Sequence, residues 1–597
     1  VNSPDWWDKL HPDQLVLYDD GEGEPKLFYE TERKPCPSWA SEVWREDTAY
    51  ALARYIEHVR SSPYADRVIG YHVASGTTEE WMYWGANEGK YCDYSKPTLE
   101  AFRRWLTEEY ETDGGLQAAW GRGHVTLATA EIPRYGKRVA TEHGAFRDPT
   151  SARDVIDFQL FLSDLTAETI NYFAHAVKQA TDGQALFGTF YGYVLQLFEQ
   201  RQQNAGHLSP RTVWQCPDVD FLTSPTSYAF RQLGGGYSHF MSLTDSVKLH
   251  GKLWFDENDI RTWLTPGNPG DWGKQETYEG SLAMQQREFA NVICNGCGKW
   301  WFDMGGGWYD DERILRDIEQ MRSIADQTVA WDRAPVSQIA FIVDPQSLAY
   351  LRSHNGVTDG FLLHQLPQLG RCGAPFGYYT VDDLADLPPQ RLYIFANAWA
   401  PTDEQRSLIE RVVKRNGATA LWLYAPGLVR EGRLDEASML DLTGIRLRFS
   451  EEAAPLRVAL PGDSTYGTDQ AFAPVVWAED PEAEVLGTLV GGDRVGLVRK
   501  QLDGWTSVFS AAPVLPAGLV RRVAADAGVH LYVAGDDTVY ANRSLLSLFA
   551  DTPGARTIRL PEAATVVDLF TGETVAEGVA EFQVQVPGET TKLWRLK

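Results

Sequence analysis

Cysteine is scarce in this sequence, since only six of its 597 residues are cysteines. So few cysteines cannot build the disulfide framework that is typical of a small secreted domain. Cys294 and Cys297 form a Cys-x-x-Cys pair, but a zinc ribbon needs a second pair of similar spacing, and the sequence has none. We therefore expect no metal site, and the sequence indicates no cofactor.

Positive charge is also in short supply. Lysine and arginine number 55 against 82 aspartates and glutamates, which gives a formal net charge of −27. Binding to nucleic acid depends on Lys and Arg contacts with phosphates. The sequence contains no basic run and no nucleic-acid-binding motif, so nucleic acid is excluded as a partner.

Long apolar runs are absent as well. A membrane-spanning helix needs about 18–20 consecutive apolar residues, and no such stretch occurs in the sequence. We therefore expect no membrane partner. No signal peptide is visible, but the chain opens with Val1. The sequence thus predicts a soluble protein and leaves open whether it is cytoplasmic or is exported after removal of a leader.

The first 334 residues read as alternating strands and helices, which is typical of parallel βαβ units. Polar and aromatic residues come directly after the strands, where a (β/α)8 TIM barrel builds its active site. We therefore predict the α/β fold class, with a (β/α)8 catalytic barrel in residues 1–334. Its predicted strands are residues 68–74, 185–194, 220–228, 253–257 and 299–304.

The pattern changes after residue 334. Buried strands alternate with a helix at about residues 402–415, which predicts a small doubly wound α/β domain in residues 335–533. From residue 534 to residue 597, apolar and polar residues alternate between turn residues, so we predict a small antiparallel β-sandwich-like domain there. The predicted strands of the α/β domain are residues 338–343, 391–395 and 418–424.

Two predicted strand ends each deliver a glutamate among aromatic side chains. Residues 254–263 read WFDENDIRTW and contain Glu257, and residues 68–84 read VIGYHVASGTTEEWMYW and contain Glu79 and Glu80. A retaining glycosidase needs a neutral carboxylic acid and an ionised carboxylate about 5–5.5 Å apart. The sequence therefore favours glycoside hydrolysis. The alternative for Glu79 and Glu80 is that they begin a solvated loop.

The neighbours of the two sites suit these roles. Trp81 and Trp84 give Glu80 an apolar setting, which raises a carboxyl pKa and suits a proton donor. Arg261 lies four residues after Glu257, and a nearby cation would keep that carboxylate ionised. For the tyrosines at strand ends, and for one of the two indoles at residues 300–301, core packing is an equal alternative to sugar contact. The candidate sugar-binding residues are Glu79, Trp81, Trp84, Tyr191, Tyr193, Tyr228, Arg261, Trp263, Trp301 and Asp303.

Several stretches resemble those of clan A glycoside hydrolases, in particular the family 42 β-galactosidases. They are SPDWW at residues 3–7, DYSKPTLEAFRRWLTEEY at residues 93–110, and Leu116 with Ala119-Trp120-Gly121. The resemblance implies a TIM barrel, then a flavodoxin-like domain built like a class I glutamine amidotransferase that forms a homotrimer, then a small β domain. It also implies Glu80 as the acid/base after strand four, Glu257 as the nucleophile after strand seven, and terminal β-D-galactosides as the carbohydrate substrate.

The sequence departs from that family at two points. The family's acid/base glutamate follows an asparagine, whereas the loop here reads Gly76-Thr77-Thr78-Glu79-Glu80. The choice between Glu79 and Glu80, and the recognition of the sugar 2-hydroxyl, therefore stay open. The family's metal-binding cysteine cluster is not reproduced either. The alternatives are a β-glycosidase for a mannoside, glucoside, fucoside or furanoside, and a homologue that binds carbohydrate without catalysis.

A different enzyme class, the amidotransferases, is suggested by residues 369–373. Their sequence LGRCG imitates a nucleophile elbow around Cys372. An elbow must lie between a strand and a helix, whereas Cys372 follows a predicted helix. No suitably spaced His-x-Glu pair follows it, so we reject this interpretation.

The predicted strands are fewer than a barrel needs. Eight βα units take about 250 residues, but only five convincing strands occur in residues 1–330. By the resemblance these are strands four to eight, so we expect the natural polypeptide to begin on the order of 100 residues earlier, or the missing part to be a separate piece. Alternatively, residues 8–62 hide further strands, for which residues 15–18 are the one candidate. A closed eight-stranded ring within residues 1–330 would show that the strand count is wrong.

Overall fold

The computed structural model describes residues 3–31, 34–198, 200–462 and 464–597. In that part of the chain, no helix combines the length and the apolar character needed to cross a membrane. The first 334 residues contain α1 (Asp5–Leu10), β1 (Leu17–Asp19), β2 (Lys26–Leu27), β3 (Tyr29–Glu30), β4 (Lys34–Pro35), α2 (Glu42–Arg60), β5 (Gly70–His72), β6 (Tyr91–Cys92), α3 (Lys96–Tyr110), α4 (Asp113–Trp120), α5 (Tyr135–Val139), α6 (Arg153–Ala180), β7 (Leu186–Phe190), α7 (Gln200–Asn204), α8 (Pro210–Trp214), β8 (Phe221–Pro225), α9 (Thr244–Leu249), β9 (Leu253–Asn258), α10 (Tyr278–Cys294), β10 (Gly298–Trp301) and α11 (Glu312–Thr328).

A curled parallel sheet carries the strand ends on which the sequence analysis depends. Among the described residues its strand order is β10–β9–β8–β7–β5, and every pair is parallel. At least one helix lies between each two of these strands along the chain. The prediction of strands in these five places is therefore confirmed, as is the βαβ arrangement typical of a TIM barrel.

The sheet is not closed by other strands of the described chain. Its outer strands β5 and β10 each have one strand neighbour there. The candidate at residues 15–18 does not join it, because β1 pairs antiparallel with β2 and β6 in a separate small sheet. No eight-stranded ring forms within the described part of residues 1–330, so the strand count stands. How the barrel is completed stays a prediction.

Aromatic rings pack side by side across the parallel sheet. His72 stacks on Phe221, Phe221 lies against Phe255, and Phe255 stacks on Trp300, with ring centroids 5.3–6.2 Å apart. Gly188 is the strand partner of Phe221, and a Cβ atom built on it would lie 2.0 Å from the phenyl ring. The absence of a side chain at Gly188 therefore leaves room for the Phe221 ring against β7.

A second large sheet follows, in which parallel strands come first. The order β12–β11–β13–β14–β23 is parallel, and β22, β21, β18 and β19 extend it antiparallel. The elements are β11 (Ile339–Val343), α12 (Gln365–Gly370), β12 (Gly377–Thr380), β13 (Leu392–Phe395), α13 (Asp403–Val412), β14 (Ala418–Leu423), β15 (Val429–Arg430), β16 (Arg433–Leu434), α14 (Glu436–Thr443), β17 (Leu447–Ser450), β18 (Ala454–Ala459), β19 (Thr465–Phe472), β20 (Val475–Ala478), β21 (Glu484–Leu489), β22 (Val495–Leu502), β23 (Trp505–Ser510) and α15 (Ala517–Asp526).

The strands predicted in this region are present as β11, β13 and β14, and the helix between the last two is α13. Its N-terminus carries a capping box, in which Thr402 and Gln405 each accept a backbone N–H of the other. The antiparallel extension was not predicted. One continuous cluster of buried apolar side chains joins this sheet to the first, and the division at residue 334 stays a prediction.

The C-terminal residues form an antiparallel sheet in the order β24–β25–β28–β26–β27. Buried side chains such as Ile558, Phe582 and Trp594 alternate with exposed ones, as the sequence pattern indicates. The strands are β24 (Thr538–Ala541), β25 (Leu545–Ala550), β26 (Gly554–Asp568), β27 (Thr574–Val586) and β28 (Thr590–Leu596).

We predict that Gly188→Ala lowers the melting temperature of the protein. The new methyl group would overlap the Phe221 ring, and such overpacking costs about 1–3 kcal/mol. Gly136→Ala is the matched control, because Gly136 lies in α5 with open space around its Cβ position. Calorimetry of both variants checks this. Equal melting temperatures for the two variants would contradict the packing described for β7 and β8.

Candidate active site

Glu80 lies in a tight loop after β5. Three of its neighbours, Thr78, Glu79 and Trp81, have left-handed backbone conformations with φ of 57°, 64° and 55°. Such conformations cost of order 1–3 kcal/mol each and persist only where surrounding contacts fix them. Here the Trp81 indole is fully buried, its Nε1–H donates to the Val73 carbonyl (3.0 Å), and its backbone N–H donates to the Ser75 carbonyl (2.8 Å).

The Glu80 carboxyl is held from both sides by hydroxyl groups. The Tyr193 phenol donates to Oε1 (3.1 Å) and the Thr78 hydroxyl donates to Oε2 (2.6 Å). Burial raises the pKa of Glu80, although these two donors oppose the shift by stabilising the ionised form. The net pKa shift is upward, which is the direction that suits a proton donor.

Glu257 lies at the carboxyl end of β9, where Asp256 and Asp259 flank it at close range. Burial, together with the charges of Asp259, Glu80 and Asp256, raises the pKa of Glu257 to about 8. Glu80 contributes to this shift, and Tyr193, which donates to Glu80, also feels the charge of Glu257, so the two glutamates lie within electrostatic range of each other. Of the two glutamates in the loop after β5, Glu80 contributes to this shift, whereas Glu79 is exposed to solvent. The assignment of catalytic roles to Glu80 and Glu257 stays a prediction.

The prediction that Arg261 lies beside Glu257 and keeps it ionised is wrong. The Arg261 guanidinium binds Asp259 instead, with Nη1 2.6 Å from Oδ2, and Arg231 binds the other oxygen of Asp259 at 2.5 Å. Asp259 is fully buried between the two arginines. Asp259, which is nearer to Arg261 along the chain, therefore binds its guanidinium. Glu257 stays close to the negative charges of Asp259, Glu80 and Asp256.

A buried lysine lies on the neighbouring strand. Lys299 on β10 is the strand partner of Asp256, and Asp256 also accepts a hydrogen bond from Thr226 (3.0 Å). Burial raises the pKa of Asp256 and lowers that of Lys299, while attraction between the two charges opposes both shifts. Lys299 thus offsets part of the negative charge beside Glu257.

Three candidate sugar contacts lie in this site. Tyr193 donates to Glu80, and Tyr228 packs its ring under the Arg231 guanidinium at 4.3 Å. Burial, together with the charges of Asp259 and Glu80, raises the pKa of Tyr228, so its phenol lies within electrostatic range of the same carboxyl groups. Arg261 lies 4.9 Å from the Trp308 ring and 5.8 Å from the Trp272 ring.

Three other candidates, Trp81, Trp84 and Tyr191, belong to the protein core, so the prediction that they contact a sugar is wrong. Trp81 and Trp84 are buried, and the Trp84 indole donates to the Pro37 carbonyl (3.0 Å) while both rings pack on Trp39. Tyr191 is also fully buried, with its phenol donating to the Gly206 carbonyl (2.8 Å). None of these rings has a face open to a sugar, because each is covered by neighbouring protein.

The remaining candidates have other protein partners. Trp263 packs against Tyr278 and Arg313, and the Trp301 indole donates to Gln285 (3.0 Å). Asp303 accepts backbone N–H groups of residues 306 and 308 and so shapes its own loop. Glu79 is exposed and lines a cavity of about 720 Å³ together with residues of α1, α2 and β5.

Two residues near this site, Arg231 and Trp272, are not predicted by the sequence patterns. Arg231 comes from the loop after β8, and no spacing rule links it to Asp259. Trp272 is 59 % exposed, has a left-handed φ of 52° and packs edge-on against Tyr228. It lies in a stretch rich in Gly and Pro, TPGNPGDWG at residues 265–273, and a lone aromatic in such a loop was the available signal.

The cysteines take no part in the contacts of Glu80 and Glu257 described above. Cys294, Cys297 and Cys372 are buried free thiols, and Cys372 lies between α12 and β12, in the order helix then strand. That order is the reverse of a nucleophile elbow. Within the described residues, no group of three or more His, Cys, Asp and Glu side chains could hold a metal ion.

Comparison with known proteins finds the family that the sequence resembles. Residues 1–214 match the glycoside hydrolase family 42 model, which is described as β-galactosidase. The β-galactosidase BbgII of Bifidobacterium bifidum is 26% identical over 373 residues, which cover 58% of this chain and 48% of the relative. The matched part thus spans about half the length of that curated relative. The resemblance to family 42 is confirmed.

Solved structures share the fold. A β-galactosidase from Bacillus circulans sp. alkalophilus superposes with a TM-score of 0.71 at 16% identity, over 100% of this chain and 87% of that one. The β-galactosidase from the Antarctic haloarchaeon Halorubrum lacusprofundi superposes with a TM-score of 0.67 at 14% identity, over 99% and 87%. At these identities the likeness is one of fold.

We predict that Glu257→Gln stabilises the protein at alkaline pH. Because the pKa of Glu257 is about 8 in the folded protein against an ordinary 4.5, its proton stabilises the fold below pH 4.5. This contribution is lost as the pH rises through 8. Glutamine keeps the shape without the charge, so the free energy of unfolding should exceed that of the unsubstituted protein by about 1–3 kcal/mol at pH 9 and match it at pH 5.

Urea unfolding at both pH values measures the effect. Glu312→Gln is the control, because the Glu312 side chain is 92% exposed and its removal should change stability little at either pH. A Glu257→Gln variant that gains no stability between pH 5 and pH 9 would contradict the raised pKa.

Proposed function

We propose that this protein is a retaining exo-β-glycosidase that hydrolyses terminal β-linked sugars, with β-D-galactosides as its substrates. The proposal is supported by one observation above all. Glu80, which is half-buried in the loop after β5, and Glu257, which is buried at the carboxyl end of β9, lie within electrostatic range, and the charge of Glu80 helps to raise the pKa of Glu257. Two carboxyls that repel each other in this way favour the binding of a single proton between them.

One proton shared by two carboxyls is the state from which a retaining glycosidase starts. In the proposed reaction, the proton that the two carboxyls share moves to Glu80 when substrate binds. Glu80 gives this proton to the glycosidic oxygen while the ionised Glu257 attacks the anomeric carbon and forms a glycosyl ester. Glu80, now ionised, then takes a proton from the water that hydrolyses the ester. The Tyr193 and Thr78 hydroxyls donate to Glu80, which stabilises the carboxylate present between the two steps.

Galactose as the sugar is supported by the relatives, since BbgII and both solved structures are named as β-galactosidases. We propose that Tyr228, Arg261 and Trp272 contact the substrate, with the exposed Trp272 indole as a stacking surface for a sugar ring. The loop at residues 76–80 lacks the asparagine of the family. Another β-linked sugar is therefore the second candidate.

A panel of nitrophenyl glycosides tests the specificity. We expect turnover of the β-D-galactoside above that of the β-mannoside, β-glucoside, β-fucoside and β-furanoside. Faster turnover of one of these four other β-glycosides would identify a different sugar as the substrate but would leave the proposed mechanism unchanged. If only α-linked substrates react, or if sugars bind without turnover, the proposal fails.

Azide rescue tests the two roles separately. We predict that Glu257→Ala and Glu80→Ala each lower turnover by several orders of magnitude. Azide should restore the rate in both with an activated aryl galactoside, giving the α-galactosyl azide from Glu257→Ala and the β-galactosyl azide from Glu80→Ala. The reverse assignment of products would exchange the roles, and full activity in either variant would contradict the site.

We further propose the three-domain division at residues 1–334, 335–533 and 534–597, and a homotrimer formed through residues 335–533. Both rest on the family resemblance. The chain has a mass of 66.9 kDa, and light scattering at micromolar concentration should give three times that mass. A monomer in that measurement would contradict the proposed trimer.

A further inference from the structure

A buried histidine joins the two loops that meet at Glu80. His207 is 1% exposed, and its Nδ1 accepts the backbone N–H groups of Gly192 (3.2 Å) and Tyr193 (3.1 Å). On the opposite side of the ring, Nε2 donates to the Trp81 carbonyl (3.1 Å). The ring therefore connects the loop after β7 with the loop after β5.

These contacts fix the protonation state of the ring. Two N–H groups point at Nδ1, so this nitrogen carries the lone pair and the proton lies on Nε2. Burial lowers the pKa of His207 to about 3, which keeps the imidazole neutral throughout the pH range in which a glycosidase works. A single tautomer thus persists, and both of its nitrogens are occupied.

These hydrogen bonds form a closed circuit of contacts that includes Glu80, the candidate acid/base. Trp81 is the next residue after Glu80, and Tyr193 donates its phenol hydrogen to the Glu80 carboxyl (3.1 Å). His207 holds the backbone of both, so it sets the distance between the phenol and the carboxyl. We propose that His207 is a positioning residue that aligns Glu80 with Tyr193, a role that rests on the proposed acid/base function of Glu80.

The loop needs such a contact because its backbone is strained. Thr78, Glu79 and Trp81 adopt left-handed conformations, and without external contacts a loop of this kind relaxes to ordinary φ values. The bond from His207 to the Trp81 carbonyl is one of the contacts that hold it. Gly206 brings His207 into place with φ of 77°, where a Cβ atom would lie 2.2 Å from the Thr166 hydroxyl.

His207→Leu tests the proposal, because leucine fills the space but makes none of the three hydrogen bonds. The activity readout is kcat/KM for two galactosides. One has an alkyl leaving group, which needs a proton from Glu80, and the other has 2,4-dinitrophenolate, which leaves without one. We expect a loss of about 10- to 100-fold for the alkyl galactoside, as a misplaced general acid would give, and a loss several times smaller for the dinitrophenyl galactoside.

Conservative variants and a control separate positioning from folding. His207→Asn keeps an acceptor near the Nδ1 position and His207→Gln keeps a donor near Nε2, so each should recover part of the lost selectivity. His250→Leu is the control, since His250 is also largely buried but bonds to Asp383 (3.0 Å). It should lower both kcat/KM values equally or not at all.

A second readout does not depend on turnover. With glutamate labelled at the side-chain carboxyl carbon by ¹³C, the Glu80 signal is the one missing in Glu80→Gln. Loss of the Tyr193 donor should shift the titration of Glu80 to higher pH in His207→Leu and equally in Tyr193→Phe, with no further shift in the double variant. The other charges near Glu80, namely Asp259, Glu257 and Arg201, are untouched in all three.

The two readouts distinguish the failure of each claim. If the unsubstituted protein hydrolyses no glycoside, the proposed function fails, while the titration still decides whether His207 positions Glu80. The proposed role of His207 is overturned if His207→Leu folds, its kcat/KM falls equally for both galactosides, and the titration of Glu80 is unchanged. Should His207→Leu fail to fold, the same criteria apply to His207→Asn and to His207→Gln.

Discussion

Repulsion among three carboxyl groups is the constraint on which this site depends. Glu80, Glu257 and Asp259 converge at the carboxyl ends of parallel strands, where burial makes each negative charge costly. Arg231 and Arg261 pair with Asp259, and the weaker attraction of Arg231 for Glu257 and of Arg201 for Glu80 does not prevent burial from raising the pKa values of both glutamates. The pair therefore favours one proton between them. A proton that is held in common by two carboxyls can be given to a leaving group and taken back from water.

The surrounding loops keep these groups together at a cost in backbone energy. The residues on either side of Glu80 are strained, and the strain is offset by buried groups that act on the backbone, such as the Trp81 indole and the His207 ring. The aromatic residues around the acidic stretches thus serve mainly to fix the chain. The exposed indole of Trp272, which we propose as the stacking surface for a sugar, lies on a different loop.

Much of the fold was predictable because strand periodicity and alternation with helices are local properties of a sequence. The same rule located Glu80 and Glu257, since residues after parallel strands meet at one edge of the sheet. Side-chain direction was not predictable. Arg261 is four residues from Glu257, yet it turns to Asp259, and Trp81 and Trp84 turn into the core. Arg231 and His207 come from loops after β8 and β7, and no sequence pattern links them to their partners. The antiparallel extension at residues 447–502 was missed because its pairing follows from tertiary contacts.

The stereochemistry of the first product tests the central claim most directly. Proton NMR of the anomeric signal, recorded during early turnover of a β-galactoside before mutarotation, shows which anomer the protein releases. Two carboxyls acting as acid/base and nucleophile predict release of the β-anomer, because two displacements at one carbon retain its configuration. Release of the α-anomer would mean a single displacement by water, and Glu257 would then not be the nucleophile.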